Sequence, residues 1–165
     1  MSDASADVTI EPATLEHVPL ILDFIRKLAE YEKLSHEVAA DEEVLRESLF
    51  GTEAAAEVLL AYRKGAPVGF AVYFKTFSTF LGQPGIYLED LFVEPESRGL
   101  GIGKALLGRL AKIAVQRGYR RMNWSVLTWN QPSIEFYQRL GAVPLRDWMG
   151  FRLTGDALKK LAEVE

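Results

Sequence analysis

Apolar residues near the start of the chain recur at the spacing of an α-helix. Within residues 15–29 they fall on one helical face, at Val18, Ile21, Leu22, Ile25, Leu28 and Ala29. Thr14 suits the N-cap, but Pro19 lies inside the pattern, so we predict a distorted first turn and a regular helix from Pro19 onward. A second helix is predicted over Asp41–Phe50, capped by its first residue and stopped by the glycine that follows.

Strand patterns dominate the middle of the chain. A short β-like segment, Val8–Ile10, precedes the first helix. The segments Glu57–Arg63 and Val68–Thr76 are rich in Val, Leu, Tyr and Phe, and the sequence Lys-Gly-Ala-Pro at 64–67 separates them as a turn. These two strands therefore predict a hairpin. Ile86–Val93 is a third strong strand pattern, closed by a Glu-Pro pair.

The rest of the chain alternates between helices and strands. A glycine-rich turn is followed by an amphipathic helix to about Arg117. Two strands are then predicted, at Arg121–Thr128 and Trp148–Leu153, each followed by a helix, at Pro132–Leu140 and from Asp156 onward. This order predicts an α/β (mixed α+β) fold with a mixed sheet and helices on both faces. We expect a flexible N-terminus at 1–7 and one domain over 8–165.

The composition of the chain argues against several classes of function. The chain has 165 residues, 48% of them apolar, and its formal net charge of −4 disfavours binding to nucleic acid by bulk charge. With no cysteine and only His17 and His36, disulfides, a cysteine nucleophile and thiolate or His-rich metal sites are excluded, so no metal is expected. The acidic start is unlike a signal peptide and the apolar runs are too short for a bilayer, so we expect a cytoplasmic protein with no membrane partner.

The segment Arg98–Lys104, with the sequence RGLGIGK, is the most informative part of the chain. It follows a predicted strand and opens a predicted helix, where glycines let the backbone turn and free amides form an anion site. A P-loop pattern fails at positions 98 and 105, and the dinucleotide pattern G-x-G-x-x-G fails from either Gly99 or Gly101. A glycine-rich turn that binds nothing is the alternative.

The remaining pattern, R-x-x-G-x-G on a strand-to-helix turn, resembles the acetyl-CoA motif of the GNAT superfamily of N-acetyltransferases. YLEDLFV at 87–93, NQPS at 130–133, FY at 136–137 and LGA at 140–142 extend the resemblance. It is closest to the diamine (spermidine/spermine) and thialysine acetyltransferase branch, because of LAEYE at 28–32, YLED at 87–90 and WNQPS at 129–133. The resemblance implies a largely antiparallel sheet that splays at the cofactor site, and a homodimer.

The resemblance also implies which residues hold acetyl-CoA. In GNAT enzymes the loop amides bind the pyrophosphate, and backbone groups matching Leu91 and Val93 pair with the pantetheine arm. The cofactor-binding residues implied in this way are Leu91, Phe92, Val93, Arg98, Gly99, Leu100, Gly101, Ile102, Gly103, Lys104, Asn130, Ser133 and Tyr137. For Asn130 and Ser133, capping of the following helix is the alternative.

Acetyl transfer to an amine needs a proton acceptor and a proton donor. A lysine-like amine has a pKa of about 10.4, so only about one molecule in a thousand is neutral at pH 7. Glu89 is the candidate base, with a raised pKa or through water, and Tyr137 is the candidate acid, which the resemblance places beside the cofactor sulfur. The alternatives are a structural ion pair for Glu89 or Asp90 and a packed core aromatic for Tyr137.

Three carboxylates are candidates for the amine site. A carboxylate inside an apolar strand is costly unless it is paired or wet, which singles out Glu89 and Asp90. By resemblance, Glu32 also faces this site and would hold a distal ammonium group, although spacing alone describes it as an ordinary solvated charge. Strand alternation predicts one face with Tyr87, Glu89, Leu91 and Val93 and another with Leu88, Asp90 and Phe92.

We therefore expect an enzyme that moves an acetyl group directly, in a ternary complex, from acetyl-CoA to a small primary amine. A cationic diamine, polyamine or thialysine-like acceptor suits the three carboxylates. Two alternatives stay open, an acetyltransferase acting on protein lysines or N-termini and a non-catalytic GNAT domain that binds acetyl-CoA.

Overall fold

A computed structural model describes residues 7–164 of the chain. They fall into two compact units, the first ending at Ser125 and the second beginning at Val126. Of the predicted flexible N-terminus, residues 1–6 lie outside the described residues. Within residues 7–164, no helix combines the length and the apolar character that crossing a membrane requires.

The two N-terminal helices begin close to the predicted positions, although Thr14 is the N-cap residue of a 3₁₀ turn that precedes the first helix and His17 is that of the helix itself. A 3₁₀ turn at Leu15–His17 leads into α1 (Val18–Tyr31), whose first turn holds Pro19. The distorted start predicted from this proline is confirmed. Helix α2 (Glu42–Phe50) begins where Asp41 Oδ1 accepts a hydrogen bond from the Val44 amide at 2.9 Å, so the predicted cap is also confirmed.

Among residues 7–164, five strands form one mixed sheet and lie side by side in chain order. They are β1 (Val8–Pro12), β2 (Glu57–Arg63), β3 (Ala66–Ser78), β4 (Gln83–Val93) and β5 (Met122–Trp124). All neighbours are antiparallel except β4 and β5, which are parallel. The predicted β2–β3 hairpin is confirmed. Its turn consists of Lys64 and Gly65, both with positive φ, which matches the twist of the paired strands.

Helices α1 and α2 cover one face of the sheet. The centre of this core is Phe24, which is 1% exposed and lies with its ring centroid 5.4 Å from that of Phe70 and 5.8 Å from that of Phe92. Alternate residues of the strands, including Val58 and Val72, belong to the same cluster. Burial of each such side chain contributes about 1.5–3 kcal/mol.

Helix α3 (Ile102–Gln116) contacts strands β1 to β4 and buries a stripe of Ile102, Leu106, Leu107, Leu110 and Ala114. Its C-terminal end is held to the start of β2, because Arg117 donates two hydrogen bonds to the Glu57 carboxylate at 2.9 and 3.0 Å. Those hydrogen bonds lower the pKa of Glu57. Burial, followed by the negative charge of Glu57, raises the pKa of the Tyr73 phenol to about 12.

The second unit contains α4 (Gln131–Arg139) and α5 (Gly155–Ala162). The strand predicted over Trp148–Leu153 is wrong, because this segment has no strand and no ladder partner among residues 7–164. Without a neighbouring strand its backbone gains no ladder hydrogen bonds, and its apolar side chains stay outside, with Phe151 92% exposed. The predicted strand at 121–128 is likewise reduced to Met122–Trp124.

Candidate active site

The glycine loop adopts a conformation that L side chains rarely take. Gly99 and Gly101 have φ values of +77° and +80°. A Cβ placed on either residue would meet no atom within 4 Å. Glycine is therefore required here by the backbone angle, and the space beside the loop is open.

The first turn of α3 presents backbone amides without a side-chain cap. Gly101 is the N-cap residue, no side chain caps it, and the first turn contains no acidic residue. Free N–H groups and the positive end of the helix dipole favour an anion at this place. The whole of α3 carries Lys104, Arg109 and Lys112 and no Asp or Glu, so its own charges reinforce that preference. The arrangement fits a diphosphate.

The C-terminal half of β4 has an open edge. Parallel pairing with β5 covers only Ile86, Tyr87 and Leu88. Leu91, Phe92 and Val93 pair with β3 on their other side, and no described strand pairs with them on the β5 side. The sheet therefore splays beside the glycine loop, as expected, and this edge can accept an extended chain with amide groups.

A β-bulge at Glu89 changes which side chains share a face of β4. Val72 pairs with Asp90, but the next residue, Tyr73, pairs with Leu88, so Glu89 is the extra residue. Cross-strand partners lie on one face, so Asp90 shares the face of Val72 and Leu88 shares the opposite face with Tyr73. The predicted alternation, which put Leu88 and Asp90 together, is wrong because the inserted residue reverses the faces on one side of the bulge.

The bulge brings Tyr87 to the face of Asp90, a position that sequence alternation missed. Its partner Phe74 lies on the same face of β3 as Val72, and the two aromatic rings stack with centroids 5.1 Å apart. The Tyr87 hydroxyl lies 2.9 Å from Ser125 Oγ. This hydrogen bond links β4 to Ser125, the residue that follows β5.

Glu32, Glu89 and Asp90 form a group of carboxylates that we call the acid cluster. Burial, followed by the negative charges of Glu89 and Glu32, raises the pKa of Asp90 to about 6. Burial also raises the pKa of Glu32, the residue that follows α1, whereas Glu89 is exposed at the bulge. Within residues 7–164 none of the three forms a salt bridge. A cationic ligand would relieve their mutual repulsion.

The Arg98 side chain folds back from the loop onto neighbouring elements. Its backbone amide donates to Pro95 O at 3.3 Å and its Nε to Val93 O at 2.9 Å. Its guanidinium carbon lies 4.9 Å from the ring centroid of Tyr31 and 5.7 Å from that of Phe92. The motif predicts an arginine here but gives no sign of the Tyr31 contact.

In the second unit, α4 carries the remaining predicted site residues. Asn130 is buried, and its Oδ1 accepts a hydrogen bond from the Ser133 amide at 3.4 Å, so Asn130 caps α4. Tyr137 is half-buried, and its ring centroid lies 5.4 Å from that of Phe136. Contact of Asn130, Ser133 and Tyr137 with the cofactor stays a prediction.

Two cavities border α3. The larger, of about 460 Å³, lies at the C-terminal half of the helix, next to Glu57, Tyr73 and Arg117, and none of the predicted site residues lines it. The smaller, of about 310 Å³, is lined in part by Leu100 and Gly101 of the glycine loop. Only the smaller cavity therefore adjoins the predicted cofactor site.

Comparison with known proteins agrees with this geometry. A sequence model of the acetyltransferase (GNAT) family matches residues 22–142. A thialysine N-epsilon-acetyltransferase from Sus scrofa is 39% identical over 168 residues, which cover 95% of this chain and 98% of that protein. An L-ornithine N5-acetyltransferase from Arabidopsis thaliana is 41% identical over 96 residues, or 58% of this chain and 42% of that protein.

Among solved structures, an integron cassette protein from the mobile metagenome of V. cholerae superposes with a TM-score of 0.79 at 30% identity, over 96% of this chain and 99% of that one. The family match covers most of the chain, and the relative from Sus scrofa covers nearly all of it. The chain is therefore an N-acetyltransferase and belongs to the acetyltransferase (GNAT) family.

Proposed function

We propose that this enzyme transfers an acetyl group from acetyl-CoA directly to the primary amine of a small cationic acceptor, a diamine, a polyamine or a thialysine-like amino acid. The observation that carries the substrate class is the acid cluster, three carboxylates with no salt bridge among residues 7–164. Relatives that act on thialysine and on L-ornithine, as their names state, support a small diamino acceptor.

The residues that would hold acetyl-CoA are those of the glycine loop, α3 and β4. Amides at 99–104 would bind the diphosphate, and the open edge at Leu91 and Val93 would pair with the pantetheine arm. Asn130 and Ser133 would complete the site, and Arg98, whose guanidinium lies against Tyr31 and Phe92, would border it. When bound, acetyl-CoA supplies the acetyl group as a thioester.

Two side chains would manage the protons. Glu89, exposed at the bulge, would accept the proton that the ammonium group loses, directly or through water. The neutral amine nitrogen would then form the new N–C bond while the C–S bond breaks, and Tyr137 would donate its proton to the departing sulfur. The second proton that the nitrogen loses on becoming an amide would return to the Tyr137 phenolate, directly or through water, and Glu89 would release its proton to solvent. Glu32 and Asp90 would hold the second ammonium group of the acceptor, which keeps the reacting amine in place.

The proposal extends to assembly and location. We propose one N-acetyltransferase domain over residues 8–165, a cytoplasmic location and a homodimer. The second unit exposes Val143, Trp148, Met149 and Phe151, four large apolar side chains that a partner subunit would cover. Sedimentation should detect a dimer that Phe151→Glu weakens, and a monomer at all concentrations would exclude this assembly.

Binding of acetyl-CoA tests the loop assignment. Gly101→Glu should abolish binding measured by calorimetry, because the new side chain would occupy the open space and repel phosphate. Gly65→Glu is the matched control, since Gly65 has a similar φ of +78° and equally open surroundings in the β2–β3 turn. Normal binding by Gly101→Glu, or equal loss in both variants, would contradict the assignment.

A thiol-release assay against a panel of acceptors tests the substrate class. Small diamines, polyamines and thialysine should release coenzyme A thiol, and peptides with a lysine or a free N-terminus should not. Faster release with peptides would favour an enzyme for proteins, and binding of acetyl-CoA without release for any amine would favour a non-catalytic domain.

A further inference from the structure

Arg98 contacts one residue within two positions of each half-buried carboxylate of the acid cluster, Glu32 and Asp90. Tyr31, 4.9 Å from its guanidinium carbon, directly precedes Glu32 at the end of α1. Phe92, at 5.7 Å, follows Asp90 by two residues on the same face of β4. One guanidinium therefore contacts both elements that carry these carboxylates, while its own backbone begins the glycine loop.

A second cation joins the same segments one helical turn earlier. Lys27 of α1 forms salt bridges with Glu94, which follows β4, and with Asp23 at 3.0 Å. Its hydrogen bonds to Glu94 and then to Asp23 raise the pKa of Lys27. Residues 27 and 31 lie on one side of α1, so the last two turns of this helix are attached to the segment between β4 and the loop.

The end of α1 is closed by backbone hydrogen bonds. The Glu32 amide donates to Leu28 O at 2.9 Å and the Leu34 amide to Ala29 O at 2.8 Å, around Lys33 with its left-handed φ of +62°. Tyr31 is 38% exposed, so core burial does not fix its ring as it fixes the ring of Phe24. Because residues 31–34 form one hydrogen-bonded unit, a contact that holds the Tyr31 ring also acts on the backbone of Glu32.

We propose that Arg98 is a positioning residue that couples the coenzyme site to the amine site. Ligand phosphate at the loop amides restricts the backbone at 98–99, which fixes the guanidinium against Tyr31 and so holds Glu32 opposite Asp90. The coupling rests on the proposed function. It is reciprocal, so a bound amine raises the affinity for coenzyme by the same factor.

The test measures the amine affinity with and without coenzyme. Coenzyme A forms a complex that cannot transfer acetyl, so calorimetry can titrate thialysine into free and coenzyme A-saturated enzyme. The wild type should bind thialysine at least about 5-fold more tightly when coenzyme A is present, at the low end of usual couplings. A ratio of one for an active wild type would overturn the coupling and leave the proposed function intact.

Variants locate the coupling. Tyr31→Leu and Arg98→Lys should bring the ratio close to one, because the first removes the ring and the second replaces the planar, stacking guanidinium by a point charge. Tyr31→Phe keeps the ring and should retain the ratio. Arg46→Lys, at an exposed position of α2, is the matched control. An unchanged ratio in Tyr31→Leu and Arg98→Lys would overturn the proposal.

The two proposals fail in different ways. If the wild type binds neither coenzyme A nor thialysine and releases no thiol with any amine, the proposed function fails and the coupling falls with it. Should a variant lose folded structure by circular dichroism, the ratio in Tyr31→Phe against wild type still decides whether the ring is sufficient.

Discussion

Replacement of Asp90 by asparagine should stabilise the enzyme, and the gain should depend on pH. Burial and two neighbouring carboxylates raise the pKa of this side chain from 3.8 to about 6 in the folded protein. Folding therefore favours the protonated form. The shift of roughly two units corresponds to about 3 kcal/mol of unfolding free energy, at 1.36 kcal/mol per unit.

The direction of the pH dependence follows from proton binding. Below about pH 3 Asp90 is protonated in both the folded and the unfolded state, so it makes no pH-dependent contribution to stability. As the pH rises towards 6 the unfolded state loses its proton first, and the native state of the wild type loses stability relative to Asp90→Asn. Above about pH 6 the difference between the two proteins becomes constant.

Urea unfolding of both proteins between pH 4.5 and 8 measures this difference. We expect the advantage of Asp90→Asn to grow by about 1–3 kcal/mol over that range and then to level off. Asp147→Asn is the control, because Asp147 is exposed and does not belong to the acid cluster. A difference that is independent of pH, or an equal growth in Asp147→Asn, would contradict the assignment of this cost to the buried Asp90 charge.

Four further predictions test the site and the fold. Tyr137→Phe should lower the turnover number by about 100-fold or more with little change in acetyl-CoA affinity, as measured by kinetics and calorimetry, since it removes the proposed acid and keeps the ring. In the wild type, KM for the amine should rise as the pH falls through about 6, where Asp90 becomes protonated; a flat profile would speak against its role. Phe24→Ala should cost about 3–5 kcal/mol in urea unfolding, because its ring is at the centre of the core. Arg117→Gln should cost at most about 1 kcal/mol, since both Arg117 and Glu57 are partly exposed to solvent, and a larger loss would mean that the pair is shielded.

Elements that depend on neighbouring residues could be predicted from the sequence. The cap of α2 is a hydrogen bond between Asp41 and Val44, three residues apart. The distorted start of α1 follows from the ring of Pro19, which lacks an amide proton. The glycine loop could also be recognised from local sequence, because the positive φ values at Gly99 and Gly101 favour glycine and so leave a visible pattern of glycines.

Features that depend on distant residues could not be predicted. The bulge at Glu89 depends on how β3 and β4 pair with each other. The sequence of an apolar strand is the same whether or not it contains a bulge, so the sequence alone does not indicate one. The apolar segment 148–153 resembles a strand, but strand formation requires a partner that residues 7–164 do not provide. Likewise, the motif specifies an arginine at position 98, whereas its contact with Tyr31 exists only because α1 packs beside the end of β4.

The exclusively basic charges of α3 have a kinetic consequence. A chain with a net charge of −4 would by itself slow the approach of an anionic coenzyme. Lys104, Arg109 and Lys112 create a local positive field around the helix that follows the loop, while the acid cluster creates a local negative field. Each field favours the arrival of a reactant of opposite charge, and both association rates should fall with ionic strength, since the fields extend only about 8 Å in physiological salt.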